Sequence, residues 1–432
     1  MDPFHEGGSV KDVDLRAAGE AIMREMKRVN PAAVWVAQSW QECPYPDMIS
    51  SLHNGDMLVL DINSETQPQW GDPDSSWKRV DGFSGHDWAF CMLLNFGGNV
   101  GMYGKLQHVI DEYYKARDSR FATTLRGVGL TMEGIENNPV MYELVTELPW
   151  RQHRFDWQEW LRGYVTARYG VAANAKVQEA WLLLARSVYG ASAKVAEQGC
   201  HESVLCARPA LDVYQVSSWS MMEEYYNPDD VIHAARLMVE ASHEMPANAN
   251  FRYDLVDVTR QAIAEQARLV YDEVVAAYRA KDRRMFAHAS QRFLDILLQQ
   301  DRLLSSMPGF MVGSWIGQAR TLGTTADERD RYEWNARVQI TTWGNREAAE
   351  RGRLREYAHK EWSGVLHDFY YPRWKAYFEA LAATFDGRPM QPIDFYAMDE
   401  KWTLQHNAYP CTAQGDAVEF AQEAFRKVFD TE

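Results

Sequence analysis

Carboxylates, amides and tryptophan stand at the ends of short apolar runs in the first third of this 432-residue sequence: Gln38-Ser39-Trp40, Asp61, Asn95 and Glu133. Such residues at strand ends suit the cleavage of a glycosidic bond. That chemistry needs one carboxylic acid to protonate the departing oxygen and one carboxylate across the anomeric carbon; in the retaining type the pair lies ~5–5.5 Å apart and the second group forms a covalent glycosyl intermediate. Flat aromatic faces suit the C–H faces of sugars, and the chain has 16 Trp, 21 Tyr and 17 Phe, most of them expected in the core. Other chemistries lack their signatures. There is no P-loop, no glycine-rich dinucleotide fingerprint, no HExxH and no serine in a GxSxG turn. Spacing alone does not select a catalytic pair from 61 acids.

The elements that must position these residues follow from hydrophobic periodicity. Helical spacing runs from Ala17 to Val29 and closes at Asn30-Pro31. Buried strands are expected at 33–37, at 57–60 ending in Asp61, at 88–94 and at 125–130, with helices at 46–52 and 102–115. Near-continuous apolar strands alternating with helices indicate a parallel sheet covered on both faces, with functional residues at the strands' C-terminal ends. From about residue 156 helical patterns dominate, in long segments such as Arg252–Arg279 and Arg284–Leu304. The expected fold class is α/β followed by all-α: residues 1–150 form the later part of a (β/α)8 (TIM-type) barrel, and residues 151–432 a large helical C-terminal domain. Only four strands are visible where a barrel needs about eight. The chain therefore reads as truncated, and by itself is expected to be inactive or poorly folded, because half a barrel leaves two strand edges unpaired.

The net charge of -16 is the wrong sign for holding nucleic acid through bulk electrostatics. Five cysteines (Cys43, Cys91, Cys200, Cys206, Cys411) are too few and odd for a disulfide scaffold. Cys200-His201 with Cys206 fits no common zinc spacing, and free thiols are the expected state. No apolar stretch reaches the roughly 18 residues of a membrane span.

Asp2-Pro3-Phe4-His5-Glu6-Gly7-Gly8 and the run Ala33 to Trp40 resemble segments of glycoside hydrolase family 89, the α-N-acetylglucosaminidases: the first its acid/base segment, the second its next strand. Leu58-Val59-Leu60-Asp61 with Glu65-Thr66-Gln67-Pro68, then Phe90 to Asn99, are similar to the runs that follow. Gly127-Val128-Gly129-Leu130-Thr131-Met132-Glu133-Gly134-Ile135 matches the nucleophile segment. The likeness continues through Arg168-Tyr169-Gly170, Tyr253 to Gln261, Gln339 to Gly344 and Tyr370 to Trp374, nearly end to end and in the family's order. Two departures stand out: the family's N-terminal domain and first barrel strands have no counterpart, and Leu94 replaces a histidine of the animal members.

The resemblance implies removal of terminal α-linked N-acetylglucosamine with retention, with Glu6 as general acid/base and Glu133 as nucleophile. It implies substrate contacts for His5, Trp40, Asp61, Asn95 and Trp343, and no metal or organic cofactor. The implied partner is a glycan, with no nucleic acid and no membrane span; a homo-oligomer is compatible with the sequence. Family members are lysosomal in animals and commonly exported in bacteria, and this chain carries no address of its own. Plainer roles remain open for each residue: a solvated acid for Glu6, a helix-start acid for Glu133, a cap for Asn95, core for the tryptophans, an orienting group for Asp61. Tyr253, Asp254, Asp257 and Arg260 recur on one helix and read as an ion-pair network. An α-glycosidase of other sugar specificity and an inert carbohydrate-binding remnant are the rival readings.

Overall fold

The computed structural model describes residues 2–6, 8–94, 96–134, 137–170, 174–192, 202–218, 220 and 225–430. It divides into two compact units: Met1–Asn95, Gly104–Trp157 and Ala191–Glu197 in the first; Phe96–Tyr103, Gln158–Gly190 and Gln198–Glu432 in the second.

In the first unit the order is α1 (Leu15–Val29), β1 (Trp35–Ser39), α2 (Pro46–Ile49), β2 (Met57–Asp61), β3 (Asp87–Met92), α3 (Leu106–Arg117), β4 (Leu125–Leu130) and α4 (Pro139–Glu147). The strands form one sheet in sequence order, all parallel. Helix α1 starts where the Asp14 carboxylate accepts the Ala17 N–H at 3.0 Å and carries Lys27 and Arg28 in its last turn, both favoured by the helix dipole. β3 is buried almost throughout, whereas β1 buries alternate residues and β4 is half-buried. That gradient is what a parallel sheet shows when its central strands are covered on both faces and its outer strands are edges. Val36, on the outer strand β1, is 46% exposed.

Two expected strand limits shift for local reasons. β1 begins at Trp35 rather than residue 33, because Asn30 folds residues 30–33 into a turn: Ala33 N–H donates to its carbonyl and Ala32 N–H to its side chain. β3 ends at Met92 rather than residue 94, because the next two N–H groups leave the ladder for a side chain described below.

The second unit is helical: α5 (Trp157–Tyr169), α6 (Ala175–Arg186), α7 (Pro228–Ala241), α8 (Ala249–Arg279), α9 (Arg283–Leu304), α10 (Val312–Thr321), α11 (Ala326–Gln339), α12 (Tyr371–Thr384), α13 (Phe395–Thr403) and α14 (Ala417–Phe429). Helix α8, 31 residues and roughly 46 Å long, is its spine and buries both apolar and charged residues. No helix among the described residues is long and apolar enough to cross a membrane.

The short segment Phe96–Tyr103 also belongs to this unit. Gly97 has φ +64°, and a Cβ there would lie 2.0 Å from the Tyr357 carbonyl oxygen, so only glycine fits. The buried Lys360 ammonium donates to the Gly97 carbonyl at 3.1 Å and to that of Gly98. Gln261 of α8 accepts the Met102 N–H at 3.0 Å.

Candidate functional site

Because the four strands are parallel, their C-terminal ends form one edge of the sheet. The register pairs Ser39 with Asp61, Asp61 with Phe90, and Met92 with Leu130. Trp40 follows β1, Asp61 ends β2, and Glu133 lies three residues beyond β4, so these predicted site residues share that edge. The segment carrying His5 and Glu6 is tied there too. Asp2 Oδ1 accepts the Gln38 N–H at 2.7 Å, and the Phe4 carbonyl faces the Cys43 thiol at 3.7 Å. The segment turns sharply, with left-handed φ at Phe4 (+63°) and Glu6 (+40°). Non-glycine residues adopt such angles only when their surroundings impose them. Glu6 and Glu133 are exposed, and His5 is half-buried with its Nε2 lacking a hydrogen-bond partner among the described residues.

The loop after β2 organises the whole edge. Asp61 is buried, and its Oδ2 accepts the N–H groups of Gln69 (2.9 Å) and Trp70 (3.0 Å), folding the loop back on its own start. Gln69 Oε1 then accepts from Ser39 Oγ at 2.7 Å and Arg79 Nε at 2.9 Å. The Arg79 guanidinium also caps the carbonyls of Cys43 (2.8 Å) and Pro44 (2.6 Å). Thus one buried carboxyl and one arginine fix the loops beside Trp40, whose ring meets Trp77 edge-on at 5.0 Å. Burial pushes the Asp61 carboxyl up to about 7, against the pull of its two backbone donors.

Further along, Ser64 exchanges backbone and side-chain bonds with Cys91, and Glu65 Oε1 accepts the N–H groups of Leu93 (2.9 Å) and Leu94 (2.8 Å). Thr131 closes the circuit: its N–H donates to the Met92 carbonyl at 3.0 Å, and its hydroxyl lies 2.7 Å from the Ile62 carbonyl. Burial also raises Glu65, from 4.5 to about 7. The folded chain therefore keeps a proton that the unfolded chain releases above about pH 4.5. The stabilisation is fully present below that value and is lost as pH rises through about 7. Glu65→Gln keeps an acceptor oxygen and cannot ionise. The Tm of this variant minus that of wild type should rise by a few degrees between mildly acidic and mildly alkaline buffer; a difference that stays flat with pH refutes this reading.

The remaining predicted residues lie elsewhere. Asn95 is outside the described residues, as are Cys200 and His201. Trp343 belongs to the second unit, with φ +59°, its N–H on the Val338 carbonyl at 2.8 Å and its ring 4.9 Å from Tyr357. Helix α8 holds an ion-pair network: Arg260, fully buried, bonds Asp257 (2.7 Å) and Glu361 (2.9 Å), while Asp254 is held by Arg168 (2.8 Å) and Tyr169 (2.6 Å). One further cluster, Asp330, Glu333 and His406, has its ligand atoms within 4.8 Å of one another. Arg320 already lies between its carboxylates, at 3.1 Å from Asp330 and 2.5 Å from Glu333, and so occupies the place of a cation. Sequence reasoning missed Ser64, Gln69 and Arg79, and named Ser39, Glu65 and Thr131 only within longer segments, without a role for any of them. For Ser64 and Thr131 the available signal was a short polar residue just after an apolar strand; Gln69 and Arg79 lie deep in the loop after β2 and carry no such signal.

Comparison with known proteins places this architecture. Residues 1–152 match the family model of the alpha-N-acetylglucosaminidase (NAGLU) tim-barrel domain, and residues 160–427 that of the alpha-N-acetylglucosaminidase (NAGLU) C-terminal domain. Human alpha-N-acetylglucosaminidase is 34% identical over 431 residues, covering 96% of this chain and 55% of that protein. A family 89 glycoside hydrolase from Clostridium perfringens in complex with PUGNAc superposes with a TM-score of 0.90 at 31% identity, over 99% of this chain and 48% of that one. A structure of the same family from that organism, in complex with its substrate GlcNAc-alpha-1,4-galactose, gives 0.89 at 30% identity, over 98% and 48%. The chain thus spans about half the length of the relatives it matches. The fold is the later part of a (β/α)8 barrel followed by a helical C-terminal domain, and the chain belongs to the α-N-acetylglucosaminidase family, glycoside hydrolase family 89.

Proposed function

We propose that this chain supplies the catalytic pair of a retaining hydrolase that removes terminal α-linked N-acetylglucosamine from glycans. The observation that carries the reading is the placement of both family segments on one edge of one parallel sheet: Asp2–Glu6 is anchored beside the end of β1, and Glu133 follows the end of β4. The relative bound to GlcNAc-alpha-1,4-galactose supports the sugar and the linkage. In this reading Glu6 donates a proton to the leaving oxygen as Glu133 attacks the anomeric carbon. Water then attacks the glycosyl ester with Glu6 as base, freeing Glu133 and the sugar with its original configuration. His5, Trp40 and Asn95 contact the substrate, and Asp61 shapes the loop beside it. No metal or organic cofactor takes part.

Both glutamates stand exposed, and β1 and β4 are the outer strands of the sheet among the described residues. An exposed pair gains little electrostatic help for charge development. Turnover is therefore expected only where further strands close the barrel around them. Aryl α-glycosides of GlcNAc, glucose and GalNAc should be offered to the chain alone and to the chain joined behind the completing strands of a family 89 relative. Release of the aglycone from the GlcNAc compound by the joined protein, with α-GlcNAc as first product, is the expected outcome. A folded joined protein that cleaves none of them, or prefers another sugar, overturns the proposal. Turnover by the chain alone overturns the requirement for closure.

A further inference from the structure

We propose that Glu65 is a positioning residue for Glu133, acting through the Met92–Leu93 peptide group and Thr131. The inference rests on the reading of Glu133 as nucleophile. Its geometry is a relay in which one peptide group is held on both sides. The Leu93 N–H of that group donates to Glu65 Oε1 at 2.9 Å. Its carbonyl, on Met92, accepts the Thr131 N–H at 3.0 Å and faces the Thr131 hydroxyl at 3.2 Å. Thr131 stands two residues before Glu133.

Three physical effects act together. An acceptor on the N–H of an amide increases the electron density on its carbonyl, so the bond to Glu65 strengthens the grip of Met92 on Thr131. Leu94, the second residue held by Glu65, has φ +69°, a conformation a leucine keeps only under external constraint. A single buried carboxyl oxygen bonded to two successive N–H groups supplies that constraint and ends the strand at a defined point. Thr131 is β-branched and so restricted in χ1. Its hydroxyl, 2.7 Å from the Ile62 carbonyl, also ties the end of β4 to the loop that carries Glu65. Remove the Glu65 carboxyl, and Leu94 relaxes, the Met92–Leu93 peptide loses one of its two anchors, and the backbone leading to Glu133 is freed.

The test compares Glu65→Ala, Glu65→Gln and Thr131→Val by amide hydrogen exchange on the full chain, and by kinetics with aryl α-GlcNAc in the completed-barrel protein. Glu65→Ala should lose protection at Leu93, Leu94 and Thr131, and lower kcat by ~10²-fold with KM little changed, the size expected from misplacing a reacting group by about 1 Å. Glu65→Gln, which keeps the acceptor, should restore protection at all three amides and most of kcat. Thr131→Val should lower kcat in the same direction while leaving Leu93 and Leu94 protected. Protection of Thr131 that survives in Glu65→Ala, or a kcat unchanged in a protein that is active as wild type, overturns the relay. Should wild type itself not hydrolyse, the catalytic reading falls, and the exchange comparison decides the relay alone. Should Glu65→Ala not fold, Glu65→Gln against Thr131→Val decides it: equal kcat values sink the idea.

Discussion

Replacing Glu133 by alanine in a completed-barrel protein should lower hydrolysis of an aryl α-GlcNAc by on the order of 10⁴-fold or more, since it removes the group that forms the covalent intermediate. The nature of the rescue is more diagnostic than the size of the loss. Azide can fill the space left by the missing carboxylate and attack the anomeric carbon from its side, giving a β-glycosyl azide. In Glu6→Ala the intermediate on Glu133 still forms when the aryl group leaves without protonation, and azide then attacks from the opposite face, giving the α-azide. Opposite anomers from the two variants assign the two roles separately. The same anomer from both, or an unchanged rate in Glu133→Ala, rules out the double displacement. Both side chains are exposed, and thermal melting of each variant beside wild type separates a loss of folding from a loss of catalysis.

The second large effect is on stability. Arg260→Met should cost about 3–5 kcal/mol, the range for breaking a buried ion pair from one side. Arg260 is fully buried, and it is the cation shared by Asp257 and Glu361, themselves buried. Methionine fills much of the volume but leaves two buried carboxylates without the cation they share. One of them must then take up a proton, so the loss should be smaller in acidic buffer than at neutral pH. Chemical denaturation of wild type and variant at both values checks this; a loss below about 1 kcal/mol would mean that the network contributes little.

The parts of the fold set by local periodicity could be read from the residues alone. The run Leu125–Leu130 is strand β4 at its expected limits, and the long apolar spacings of the helical half became α8 and α9. Continuous apolar runs announce burial on both faces, and polar residues that interrupt them at one end announce an edge. What periodicity does not carry is which distant group satisfies a given N–H. Glu65 reaches Leu93 across 28 positions, and Thr131 reaches Ile62 across 69. Nothing in the neighbourhood of Leu93 distinguishes it from a residue still in the ladder, so the strand appeared two residues too long. Asp61 was legible as a polar residue at a strand end, but its use of Oδ2 for two backbone donors was not, because a sequence lists donors without directions.

Lys360 gives the segment Phe96–Tyr103 a practical meaning. That stretch lies inside the barrel half of the sequence, yet its carbonyls receive a buried ammonium from the helical half, and its Met102 N–H meets Gln261. Severing the chain near residue 150 would take those backbone partners away and leave an amine to be neutralised or hydrated in the interior, a penalty of several kcal/mol. The helical half is therefore a poor candidate for separate expression. Recombination between relatives should exchange the glycine-rich stretch and the Lys360 stretch together.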